Sequence, residues 1–138
     1  MMRARRLASD RRGTAAVEFS VISGALLVLT LGAIEAGMLV WTMSVLQTTA
    51  ELTARCVALS SSACPSGASY AVSRAQQGLF TGAITSSEVA VMSSSTCNGI
   101  GGTYVRVTIT AHHWAGAGLV TALSRMALTT SACFPVST

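Results

Sequence analysis

The stretch Phe19–Ala50, FSVISGALLVLTLGAIEAGMLVWTMSVLQTTA, contains one charged residue, Glu35. About 20 apolar residues cross a bilayer as a helix, so this run is long enough to span once. Eleven of its residues (Phe19, Val21, Ile22, Leu26, Leu27, Val28, Leu29, Leu31, Ile34, Leu39 and Val40) each favour insertion by roughly 0.3–0.6 kcal/mol, about 3–7 kcal/mol together. That is enough to tolerate one acid away from the centre. Trp41 stands where an interfacial aromatic belongs. A cleaved secretory signal has an apolar core of only about 7–15 residues, and a lipoprotein anchor needs a cysteine directly after the core, whereas the first cysteine is Cys56. Arg5-Arg6 resembles a twin-arginine signal, but the run is again too long. A retained single span is therefore expected.

Upstream, five of the nine basic residues (Arg3, Arg5, Arg6, Arg11 and Arg12) fall within the first dozen positions. This cluster orients the span with its N-terminus in the cytoplasm and the remainder outside. The net charge of +4 thus belongs to a tail. Nucleic-acid binders spread basic residues over a folded face with aromatics between them, and Arg55, Arg74, Arg106 and Arg125 are scattered. No nucleic-acid partner is expected. With 51% hydrophobic and 10% charged residues, the chain is too apolar for intrinsic disorder.

Downstream, the helical pattern continues from Gln47 to Leu59, with Leu46, Ala50, Thr53, Ala54, Val57 and Ala58 available for one face. The segment 60–67 reads as a loop. Tyr70 to Phe80 reads as a second helix with Ser66 or Ser69 as N-cap. The period then becomes two. Val89 and Val91 alternate with Ala90 and Met92, and Val105, Val107, Ile109 and Ala111 alternate with Tyr104, Arg106, Thr108 and Thr110. Ser93 to Gly102 is expected as a turn-rich connection, Trp114 to Ser124 as a short helical crossing, and Arg125 to Phe134 as a third strand. The expected class is α+β: a long N-terminal transmembrane helix extending into a small exported domain with one short helix and a three-stranded antiparallel sheet. The expected division is a leader at 1–13, a transmembrane and assembly helix at 14–59, and an exported domain at 60–138.

All four cysteines follow the span. On the oxidising side an even count points to disulfides. Of three pairings, Cys56–Cys64 and Cys97–Cys133 are favoured. The first clips the end of the long helix to its loop, and the second ties the entry of the middle strand to the end of the last. Zinc held by Cys97, Cys133 and His112-His113 is the alternative, but the spacing fits no common zinc pattern, and adjacent histidines on a strand face opposite ways. No metal or cofactor is expected. After the span the only acids are Glu51 and Glu88. No paired carboxylates, nucleophile elbow or phosphate loop is present. Catalytic residues are expected to be absent, and an exported enzyme tethered by its N-terminus trails behind the other readings.

The segment Arg11-Arg12-Gly13-Thr14-Ala15-Ala16-Val17-Glu18-Phe19 adds a sharper reading. Basic residues, a glycine, four uncharged residues and Glu-Phe before an apolar helix resemble a prepilin peptidase site. More closely, the segment resembles the TadE-like family, pseudopilins of the tight-adherence (Tad, or Flp) pilus. The resemblance implies cleavage between Gly13 and Thr14, with Glu18 and Phe19 at the family's fifth and sixth mature positions. Ile34-Glu35-Ala36-Gly37 also resembles the family's Ile-Glu-Phe-Gly, with Ala36 in place of Phe.

The motif makes physical sense. A glycine lets an extended backbone enter a protease cleft, and an acid inside lipid needs a partner. By resemblance the partner of Glu18 is the Thr14 amine of a neighbouring subunit. The plain reading is that Glu18 stays near the headgroups. Glu35 lies roughly 26 Å further along the axis and about 100° around it. It either reaches headgroup water or makes an intersubunit contact. Small residues at four-residue spacing, Ser20/Gly24, Gly32/Ala36 and Ala33/Gly37, favour close helix packing in lipid.

The resemblance implies a minor pilin of a Tad pilus, since the major pilins are much shorter. Its implied partners are the prepilin peptidase, other pilin subunits, the Tad inner-membrane assembly platform and membrane lipid. The alternative is a permanently anchored envelope or secretion-platform protein that never enters a fibre.

Overall fold

The computed structural model describes residues 11–60, 64, 66–79, 84–112 and 127–136. The first helix, α1, runs over Arg11–Ala58. No proline occurs before Pro65, so nothing removes a backbone donor from its interior. Arg55 in the last turn complements the negative end of the helix dipole. The chain divides into two compact units, 1–37 and 38–138, with the division inside α1.

In the first unit the described residues form helix alone. Its large apolar side chains are exposed, from 40% at Leu31 to 73% at Phe19. So continuous an apolar surface is not built to face water, and α1 is long and apolar enough to cross a membrane. The hydroxyls in the run are satisfied internally. Ser20 donates to the Val17 carbonyl at 2.8 Å, Ser23 to Ser20 at 3.1 Å, and Thr30 to Leu26 and Leu27 at 3.0 Å. Such bonds to the preceding turn let polar side chains enter lipid without water.

In the second unit α1 continues with a one-sided core face. Thr42, Leu46, Thr49, Ala50, Thr53, Ala54 and Ala58 are buried, at the three- and four-residue steps of a helix face. The second helix, α2, spans Gly67–Gly78. It begins and ends slightly before the expected Tyr70 to Phe80, with Ser66 in extended backbone as N-cap. A 3-10 turn, Ser86–Glu88, leads into β1 (Val89–Cys97), β2 (Ile100–His112) and β3 (Ala127–Pro135). These form an antiparallel sheet of order β1-β2-β3. The expected alternation holds in β2, where Val105, Val107, Ile109 and Ala111 are buried. Val107, opposite Val91 and Ala132, is fully buried at the sheet centre.

One expectation is overturned. Ser93 to Gly102 is not a connection: the strands run on to Cys97 and resume at Ile100. Only Asn98 and Gly99 turn, at φ of 50° and 81°. Two successive positive φ values are what a tight hairpin needs to match the strand twist, and Asn-Gly supplies them at low cost. A register shift between Ser94 and Thr96 absorbs the irregularity. The third strand lies within two residues of the expected Arg125 to Phe134, whereas the expected crossing at Trp114 to Ser124 lies outside the described residues.

Glycines at both ends of α2 allow close approach to α1. A Cβ on Gly67 would lie 2.8 Å from Val57 Cγ2, and one on Gly78 would lie 2.9 Å from Val45 Cγ1. Between them Ala71 and Ala75 are fully buried. The Trp41 indole N–H donates to the Gly78 carbonyl at 2.9 Å, so Trp41 holds the end of α2 as well as marking the expected interface. Gly78→Leu is expected to destabilise the second unit by about 1–3 kcal/mol through overpacking. Gly24→Leu, where an added Cβ meets nothing within 4 Å, should leave its melting unchanged. Thermal melts of the two variants check this.

Ahead of β1, the Glu88 carboxylate accepts from the Thr85 backbone N–H at 2.7 Å and from the Thr85 hydroxyl at 2.9 Å. These bonds, backbone first, hold its pKa below the ordinary value of 4.5; desolvation opposes them slightly and the charge of His112 assists. A carboxyl lowered on folding stabilises above its unfolded pKa, and the stabilisation fades as pH falls through the lower folded value. Melting temperature is therefore expected to drop on acidification below about pH 4.5, with a smaller drop in Glu88→Gln. Melts between pH 6 and pH 3 read the difference.

Candidate processing and assembly segment

Gly13, Thr14, Glu18 and Phe19 occupy the first turns of α1, and all four side-chain positions are exposed. Gly13 has no packing role in this fold: a Cβ there would meet nothing within 4 Å, and its φ is not in the left-handed region. Glycine at this position is required by neither contact nor backbone. Phe19 is 73% exposed, so it is not held in a core. Glu18 projects from the same exposed surface, one residue before the apolar run.

Glu35 behaves differently. It is only 5% exposed, and neither carboxylate oxygen has a hydrogen-bond partner among the described residues. Its side chain is therefore covered in this structure. A buried acid without a partner is costly. Burial of this kind has no signature in a lone Glu within an apolar run.

The glycines of the spaced small-residue pairs, Gly24, Gly32 and Gly37, each have open space where a Cβ would go. Their lack of side chains serves no contact within the described chain.

Both disulfides are closed. Cys56 joins Cys64 with Cα atoms 6.1 Å apart, and Cys97 joins Cys133 at 6.2 Å. Both separations lie within the usual range for bridged cysteines. Bonded to each other, Cys97 and Cys133 have no thiolate to offer zinc, and His113 lies outside the described residues. Among the described residues no three of His, Cys, Asp and Glu gather as a metal site.

Other polar contacts have no counterpart in the sequence reading. The Thr130 hydroxyl bonds to the Gln47 side-chain oxygen, tying β3 to α1. Arg106 reaches from β2 to the Thr96 carbonyl at 3.0 Å, beside the register shift in β1. Pairing across 83 residues, as between Thr130 and Gln47, leaves no local signal.

No curated protein and no solved structure gives a match to the chain. The family comparison falls on the segment built above from Gly13, Glu18, the apolar run and Glu35: residues 13–55 match the family model described as TadE-like protein, and over that segment the chain is similar to that family.

Proposed function

We propose that the chain is a minor pilin or pseudopilin of a Tad-type pilus, contributing to pilus assembly and adhesion without enzymatic activity. It is made as an inner-membrane protein with its Arg-rich leader in the cytoplasm and its disulfide-bonded domain outside. Prepilin peptidase cuts between Gly13 and Thr14. The new Thr14 amine of one subunit then pairs with Glu18 of another, and the exposed apolar helix leaves lipid for the company of other pilin subunits at the inner-membrane assembly platform. The observation that carries this reading is Gly13. It precedes Glu18 by five residues at the head of one apolar helix, and no contact in the fold accounts for its being glycine.

The test is N-terminal sequencing of membrane protein from cells with and without the peptidase. The expected start is Thr14 in the first and Met1 or Met2 in the second. Protein that keeps its leader in a competent host overturns the assignment and leaves a permanent anchor. Gly13→Leu is expected to retain the leader almost completely, because a bulky side chain obstructs an extended backbone in the cleft. Its domain should melt like the wild type, since position 13 has open space around it.

A further inference from the structure

A polar cavity of about 340 Å³ lies against the Cys97–Cys133 disulfide. Its walls carry Glu51 of α1, Asn98 of the hairpin turn, Arg106 of β2 and Ser131 of β3. The size is at the lower end of small-ligand sites, about 300–1,000 Å³, and suits a ligand of one sugar ring. The two charges are each engaged with neutral neighbours: Glu51 accepts from the Gln47 amide at 3.0 Å, and Arg106 donates through Nη2 to the Thr96 carbonyl at 3.0 Å. Arg106 is far from satisfied. A guanidinium carries five N–H donors, and the Nε of Arg106 is buried with no hydrogen-bond partner among the described residues.

We infer that this cavity binds a neutral, hydroxyl-rich ligand, a monosaccharide unit of a glycan. An anion would be drawn to Arg106 but repelled by Glu51, and a cation would meet the reverse. A hydroxyl both donates and accepts, so neighbouring hydroxyls on one ring satisfy the guanidinium, the carboxylate, the Asn98 amide and the Ser131 hydroxyl together. The disulfide and Ala132 add apolar wall for the C–H faces of such a ring. The site is also held in place before binding. The disulfide fixes the end of β1, next to Asn98, to the residue of β3 that pairs with Arg106. Pre-set geometry of this kind lowers the ordering cost of binding. The inference does not depend on peptidase processing or on entry into a pilus.

The experiment uses the full chain in phosphatidylcholine nanodiscs, which avoids sugar-based detergents. Saturation-transfer NMR is run with N-acetylglucosamine, galactose and mannose as probes, and with glycine and inorganic phosphate as ionic controls. At least one sugar is expected to bind, and Arg106→Gln and Glu51→Gln are each expected to weaken it at least tenfold. Peptide mapping should find Cys97–Cys133 intact in both variants. Should Arg106→Gln fail to fold, Glu51→Gln at an exposed helix position carries the comparison. Binding of none of the three sugars overturns the inference. Phosphate binding that strengthens in Glu51→Gln would make the cavity an anion site, and glycine binding would make it a zwitterion site; either result also overturns it.

Discussion

Glu18→Ala is expected to reach the membrane and lose its leader normally, yet fall at least tenfold in sheared filaments. Alanine is the best helix former and inserts more readily than an acid, so neither α1 nor its anchoring should suffer. What disappears is one half of the charge pair proposed above. At about 4 Å, and at an effective dielectric near 20, such a pair attracts by roughly 4 kcal/mol. Tenfold depletion requires only about 1.4 kcal/mol of this to survive desolvation. The other half, the Thr14 amine, exists only after cleavage, so the defect should appear after processing. Immunoblots of membrane and filament fractions from one strain read both steps. Equal incorporation of variant and wild type would remove amine pairing from recruitment. Loss of cleavage would move Glu18 into recognition by the peptidase.

The second large effect is expected in the disulfide-bonded unit 38–138. The Cys97–Cys133 bond closes a loop with sequence separation 36, and Cys56–Cys64 one with separation 8. In the chain-entropy treatment these contribute about 3.8 and about 2.6 kcal/mol, upper-end values before native strain. Domains of this size have only about 5–15 kcal/mol in total. Replacing Cys97 and Cys133 together with Ser is therefore expected to remove a large share of the stability and to leave the domain protease-sensitive at 37 °C. The Cys56/Cys64 double serine variant should lose roughly 1 kcal/mol less. Denaturant unfolding of both variants tests the order, and a larger loss from the shorter loop would contradict it.

How legible these features are in the sequence depends on whether their cause is local. The long apolar helix follows from one apolar run broken only by Glu35, and β2 from a strict alternation at Val105, Val107, Ile109 and Ala111. The one-sided face of α1 is visible in the spacing of Leu46, Ala50 and Ala54. The hairpin was readable in principle from Asn98-Gly99, but Ser93 to Thr96 and Gly101-Gly102 surround it with turn-forming residues and conceal the strands. A run of serines has poor strand propensity; here it is held by pairing with β2. The site divides the same way. Gly13, Glu18 and Phe19 form a contiguous motif. The reach of Arg106 and the cavity beside Cys133 come from packing between distant segments, and no spacing rule encodes them.

The two cross-links also set how the domain responds to being pulled. An extended chain lengthens by about 3.3–3.6 Å per residue, so the residues between Cys97 and Cys133 hold roughly 120 Å of slack that a covalent bridge withholds from tension. Force entering from the end of α1 meets the Cys56–Cys64 clip first, only two residues before the helix ends at Ala58. With both bridges intact, traction cannot draw out β2 as free chain, even when the hydrogen bonds of the sheet have given way. In a reducing environment the same load would find an extensible thread instead of a stiff link.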